Sequence, residues 1–154
     1  MPVTIRPLNP SSPADLAAVV ALDLTFTEEF FPERVWNAAE RERELRESLA
    51  RGERVVVACD GERVVGAAWF RFTRDRWSGQ DVCRLSFIAV DRDVRSKGVG
   101  RILMDHVKSD GQREDCSVLE VSVNEGNERA AAFYELCGFV PVRRVLRFPL
   151  KTNL

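Results

Sequence analysis

The 154-residue sequence predicts a single mixed α/β domain spanning 1–154, with a mostly antiparallel sheet of about six or seven strands and about four helices. Three observations carry this. Two apolar runs, 54–59 and 63–73, are joined by Asp60-Gly61, a pair suited to the positive backbone angles of a tight hairpin. A third run, 82–90, passes through a glycine-containing turn into helical spacing over 98–113 and then into a run at 118–123. Strands joined through a helix lie parallel in a right-handed crossover, so the sheet is mixed.

The remaining elements follow in chain order. Val3 to Leu8 alternates apolar and polar positions and stops at Asn9-Pro10, as a first strand does. Ser12-Pro13 opens a helix over about 14–29 whose buried face carries Leu16, Val19, Val20, Leu24 and Thr27, closed by Phe30-Phe31-Pro32. A second helix is expected from about Glu33 to Arg51, burying Val35, Ala38, Ala39, Leu45 and Leu49 and stopping at Gly52. After the 118–123 strand comes a helix over 127–137, capped by Asn127 and ended by Gly138. Two closing strands are expected at 139–142 and 145–150.

Lys plus Arg total 23 against 24 Asp plus Glu, which leaves no overall field for nucleic acid or an anionic membrane. No stretch approaches the ~20 apolar residues of a membrane span, so the expectation is a cytoplasmic protein. Cys59, Cys83, Cys116 and Cys137 lie apart in or beside apolar runs and read as reduced, packed thiols. The one histidine, His106, sits at helical spacing, so no metal site is expected.

Chemistry could live in two places. In Arg95-Ser96-Lys97-Gly98-Val99-Gly100-Arg101 a strand hands over to a helix through a glycine turn, where backbone N–H groups and the helix dipole can face an anion. A solvated basic turn is the plainer reading. Neither a Walker loop nor a dinucleotide fingerprint fits the glycine spacing. In the second place, Asn127 to Phe139, three alanines permit close approach of a neighbour. Tyr134, the only tyrosine, offers a proton with an ordinary pKa near ~10. Its plainer role is to anchor the helix to the sheet.

Taken together, the two segments resemble the GNAT superfamily of N-acetyltransferases. Arg95-x-x-Gly98-x-Gly100 matches that family's acetyl-CoA signature, and Asn127, Ala130, Tyr134, Gly138 and Phe139 match its later Asn-x-x-Ala-x-x-x-Tyr-x-x-x-Gly-Phe segment. The resemblance implies that strands 82–90 and 118–123 splay apart to admit the pantetheine arm. Ile88, Ala89 and Val90 would then pair with its amides, residues 95–101 would hold the pyrophosphate, and Asn127 would bond the arm from the other side. It implies direct acetyl transfer to an amine of a small molecule or peptide, with Tyr134 protonating the departing thiolate. Ser86 and Arg84 stand where relatives carry a base, so Glu28 and Glu29 are the first candidates, ahead of Glu120 and Asp81. Phe26, Phe30, Phe31, Trp36, Trp69 and Trp77 are candidate walls for a cationic, partly apolar acceptor. A homodimer through the closing strands is compatible with the family. The competing function is a domain that binds acetyl-CoA or CoA and regulates a partner without turnover.

Overall fold

The structure, a computed structural model, describes residues 2–31 and 35–151, with the backbone alone at Phe30. Its elements run β1 (Thr4–Pro7), α1 (Pro13–Phe30), α2 (Ala38–Ala50), β2 (Arg54–Asp60), β3 (Arg63–Arg74), β4 (Asp81–Val90), a 3-10 turn (Arg92–Val94), α3 (Val99–Arg113), β5 (Val118–Val121) and α4 (Glu128–Leu136). The sheet order is β1-β2-β3-β4-β5, antiparallel except for the parallel β4–β5 pair. The crossover read from the sequence is therefore present. Among the described residues no helix is long and apolar enough to cross a membrane.

Strand alternation sorts the core onto two faces. Val55 and Val57 join Leu16, Val19, Leu45 and Phe87 under α1 and α2. Val56, Ala58, Phe70 and Leu85 join Leu103, Met104 and Val107 under α3, together with Tyr134. Helix α1 starts where Ser12 accepts the amide of Asp15 and proline occupies its first turn. The Asp15 carboxylate, buried at that end, takes both guanidinium nitrogens of Arg6 at 2.6 and 2.9 Å and ties β1 to α1.

One irregularity positions everything that follows. Trp69 pairs with Phe87 but Phe70 pairs with Leu85, so Ser86 is an extra residue in β4. This bulge reverses the side-chain phase: Leu85 packs toward α3 and Phe87, two residues on, toward α1.

Three expectations are corrected. The hairpin loop is Gly61-Glu62 rather than Asp60-Gly61, because Asp60 still pairs with Arg63; Gly61, at φ +63°, takes the first loop position. Helix α2 begins later than expected. Asn37 caps it by accepting from Ala39 and Glu40, so Val35 precedes the helix and is 96% exposed, and Ala38 and Ala39 are exposed, while Leu45 and Ser48 are buried. The expected start at Glu33 and the Pro32 corner lie outside the described residues. Residues 139–150 form no strand, leaving five strands among the described residues rather than six or seven. Pro141 and Pro149 remove ladder donors from those two short runs.

The four cysteines are free; Cys59, Cys83 and Cys137 are buried and Cys116 is half-buried. Burial pushes the Cys83 thiol up to about 12. Under native conditions an aromatic disulfide reagent should therefore titrate Cys116 first and the other three only on unfolding. Four equally fast thiols would contradict this packing.

Candidate active site

β4 and β5 stay paired only from Val82–Val118 to Leu85–Val121. Past that point Phe87 to Val90 keep β3 on one side and have no strand among the described residues on the other. Parallel strands that part in this way leave a wedge lined by backbone N–H and C=O groups, which must find partners elsewhere.

The wedge opens at the turn into α3. Ser96 and Gly98 both take left-handed backbone, at φ +68° and +83°, and Gly98 caps α3 without a side chain. The first bond into the helix is Ile102 N–H to Gly98 C=O, and no described residue accepts from the amides of Ser96 through Arg101. Open donors at a helix start, with the dipole and with Arg95, Lys97 and Arg101 beside them, have the chemistry to face an anion. Asp91 braces the turn by accepting from the Asp93 amide at 3.0 Å and from Arg63 at 2.8 Å. Those bonds hold its carboxyl below the usual range.

The other lip is α4. The Asn127 side-chain oxygen caps it by accepting from Ala130 at 3.1 Å, which leaves the side-chain NH2 to donate to a ligand. Gly100 lets α3 approach α4: a Cβ there would stand 3.2 Å from the Phe133 ring. Tyr134 is 9% exposed, its ring between Phe133 and Phe139 at centroid distances of 5.6 and 5.7 Å. Desolvation raises its phenol to about 12, with the neighbouring Cys137 thiol adding to the effect. The residues present thus fit CoA: donors for a diphosphate, an open strand edge and amide for the pantetheine arm, and a protonated phenol.

On the α1 side of the sheet lies a cleft of about 180 Å³ walled by Phe26, Phe31, Trp36 and Phe87, with Asp23, Thr27, Arg41 and Ser86 as its polar groups. The Arg41 guanidinium covers the Trp36 ring at 3.9 Å. Its Nε comes within 3.0 Å of Asp23 Oδ2 as an ion pair outside hydrogen-bonding angle, and its Nη2 donates to Asp23 Oδ1 at 3.3 Å. Burial raises the Asp23 carboxyl, partly offset by Arg41. Sequence reading missed Asp23 and Arg41. The available signal was a carboxylate at 23 and a hydroxyl at 27, one helical turn apart, where α1 otherwise turns apolar residues inward.

The carboxylates nominated as bases are placed differently from one another. Glu28 is exposed on the last turns of α1 and has no ion-pair partner among the described residues. Glu29 faces Arg95 at 3.1 Å, Arg129 at 3.5 Å and Arg92 at 3.7 Å. Glu120 is held by Arg84 at 2.8 Å, and Asp81 lies beside Arg74 at 3.7 Å, at the end of β4 away from the cradle. Of the aromatic candidates, Trp69 is core and donates to Glu53 at 3.1 Å, while Trp77 is 85% exposed in the β3–β4 loop. The Phe30 side chain lies outside the described residues. His106 is half-buried, its Nε2 3.8 Å from Asp110 Oδ2; burial and Arg113 lower its pKa.

The profile of the Acetyltransferase (GNAT) family matches residues 19–139. A peptidyl-lysine N-acetyltransferase, YjaB of Escherichia coli, is 40% identical over 62 residues, a stretch covering 40% of this chain and 37% of that protein. Two solved structures share the fold. A transcriptional regulator from Bacillus halodurans gives a TM-score of 0.79 at 20% identity, covering 97% of this chain and 100% of that one. Glucosamine-6-phosphate N-acetyltransferase from Arabidopsis thaliana gives 0.73 at 14% identity, covering 98% and 100%.

A Cβ at Gly98 would meet no atom within 4 Å, so the cost of a side chain there is backbone strain alone. Gly98→Ala should lose ~1 kcal/mol in urea unfolding, and Gly98→Asn, which tolerates left-handed backbone, clearly less. Equal losses from the two variants would contradict the left-handed cap.

Proposed function

The chain belongs to the GNAT family of acetyltransferases, and from that premise we propose that it acetylates a primary amine of a small molecule or peptide. The enzyme is an acyltransferase, and its donor is acetyl-CoA. The observation that carries the proposal is the run of six open amides at the head of α3 beside the unpaired β4 edge.

Acetyl-CoA supplies an activated thioester carbonyl. In this reading the amides of Ser96 to Arg101 bind its diphosphate, and the backbone of Ile88, Ala89 and Val90 with the Asn127 side-chain amide aligns the arm in the wedge. A backbone N–H near Val90 stabilises the charge that develops on the carbonyl oxygen. Tyr134 gives its proton to the leaving sulfur. A phenol raised to about 12 stays protonated throughout the working range, while an alkyl thiol titrates near ~8.5. Proton transfer to the thiolate is thus carried by proximity more than by driving force.

The acceptor enters from the α1 side, where aromatic walls and the Asp23 carboxylate suit a cationic amine with an apolar stem. A protonated amine has no lone pair, so its proton must leave first. Both oxygens of Asp23 already face Arg41 and Glu29 is held by arginines. Glu28, exposed on the same turns of α1, is left as the carboxylate that receives the proton through water. No metal is needed for these steps, and a cytoplasmic location fits them.

The reading extends to assembly. Val140, Val142, Val145, Leu146, Phe148 and Leu150 are 73–90% exposed, an apolar run more continuous than a lone subunit usually shows. Arg143, Arg144, Arg147 and Lys151 give the run a positive charge, opposite to Glu125, Glu128 and Glu135 around α4. A second copy of the chain is the occupant this supports. Light scattering should give a dimer mass that falls toward the monomer on Leu146→Glu with Phe148→Glu; a monomer at all concentrations would contradict it.

Tyr134→Phe should cut turnover, followed as free thiol release, by about 10² to 10³-fold while leaving CoA affinity in place. Because the phenol ionises only near 12, the wild-type rate should not fall through pH 10. Unchanged turnover in the variant would remove Tyr134 from the acid role.

A further inference from the structure

Glu29 occupies a place that the transfer chemistry leaves unexplained. It stands on the last turn of α1, the helix that walls the acceptor cleft through Asp23, Phe26 and Thr27. Its carboxylate reaches across to both lips of the wedge. Oε2 lies 3.1 Å from Arg95 and 3.7 Å from Arg92, on the turn that carries the anion cradle. Oε1 lies 3.5 Å from Arg129, on the first turn of α4 two residues past Asn127. Arg95 and Glu29 side chains are each 23% exposed, so these pairs are only partly screened. Arg95 also donates its Nε to Val90 C=O at 3.2 Å, the strand carbonyl at the mouth of the wedge.

Three guanidiniums converging on one carboxylate form a site for more negative charge than a single carboxylate brings. A diphosphate carries more charge and more acceptor oxygens, and arginine forks match phosphate geometry. A ligand seated on the adjacent open amides would compete with Glu29 for the same guanidiniums.

We infer that Glu29 is a positioning residue that holds the end of α1 against the coenzyme groove and is released when the CoA diphosphate takes over its arginines, so that donor loading reshapes the acceptor cleft. This rests on the proposed CoA site and adds to it a carboxylate that the diphosphate must displace. The coupling runs through one helix turn, since the residues that line the cleft and the residue that is released share the end of α1. Linkage makes the effect reciprocal, so an amine in the cleft strengthens CoA binding as CoA strengthens amine binding.

The test is calorimetry with CoA itself, on the wild type and Glu29→Gln, with Trp77→Phe in both so that fluorescence reports the cleft residue Trp36 against the constant core Trp69. Removing the competing carboxylate should tighten CoA binding by about 3- to 5-fold at low salt, with the gap closing as salt rises. Trp36 emission should change on CoA addition in the wild type and start near its ligand-bound value in Glu29→Gln. A Glu29→Asp variant, one methylene shorter, should fall between the two. Loss of a merely structural contact would weaken binding, so tighter binding is the discriminating result. Equal or weaker CoA binding by a variant with an unchanged melting temperature, or Trp36 emission indifferent to CoA, overturns the latch alone. Wild-type protein that takes up no CoA overturns the latch together with the function it rests on.

Discussion

The parting of β4 from β5 after Leu85 and Val121 is the constraint on which the site depends. A parallel pair normally satisfies its backbone along its length; here four paired positions are followed by separation, which leaves the edge from Ser86 to Val90 without a second strand among the described residues, the Val90 carbonyl being taken by Arg95 Nε. The bulge at Ser86 lies at the same point and changes which face each later residue presents. Phe87 then joins the core under α1 and α2 while Ile88 and Val90 stay packed toward α3. The bulge and the open edge thus fall at one point of β4, and the residues beyond it are shared between the two faces of the sheet.

Electrostatics completes the site without any overall charge bias. The chain's net charge is −1, so attraction for a polyanion has to come from local arrangement. In the proposed donor site that arrangement is the run of backbone donors at Ser96 to Arg101, with the guanidiniums of Arg92, Arg95 and Arg129 meeting at Glu29. A carboxylate held by a guanidinium recurs in the cleft under α1, where Arg41, over the Trp36 ring, pairs with Asp23. Both proposed regions hold their carboxylates against guanidiniums, and that contact lowers the cost of keeping the charges partly buried.

Much of this was legible because it is local. The glycine spacing at Gly98 and Gly100, the Asn127 cap and the Ser12 cap each act within a few residues, and the helices begin where those residues stand. The parallel crossover followed from the order of strand, helix and strand. What could not be read depends on residues distant in sequence. Glu29 meets Arg95 across 66 positions, and Asp23 meets Arg41 across 18. The Ser86 bulge arises from register against β3, which alternation within β4 does not encode. The closing strands fail to form for a different reason: the alternation over 139–150 is real, but two prolines lie within it and its apolar side chains have no cover among the described residues.

The most direct test of the central claim is a backbone-amide NMR titration with CoA. The peaks of residues 96–101 and 88–90 should move first and furthest, saturating together with the Asn127 side-chain NH2. Shifts confined to other surfaces, with the head of α3 unmoved at saturating ligand, would contradict the assignment of that turn as the diphosphate cradle.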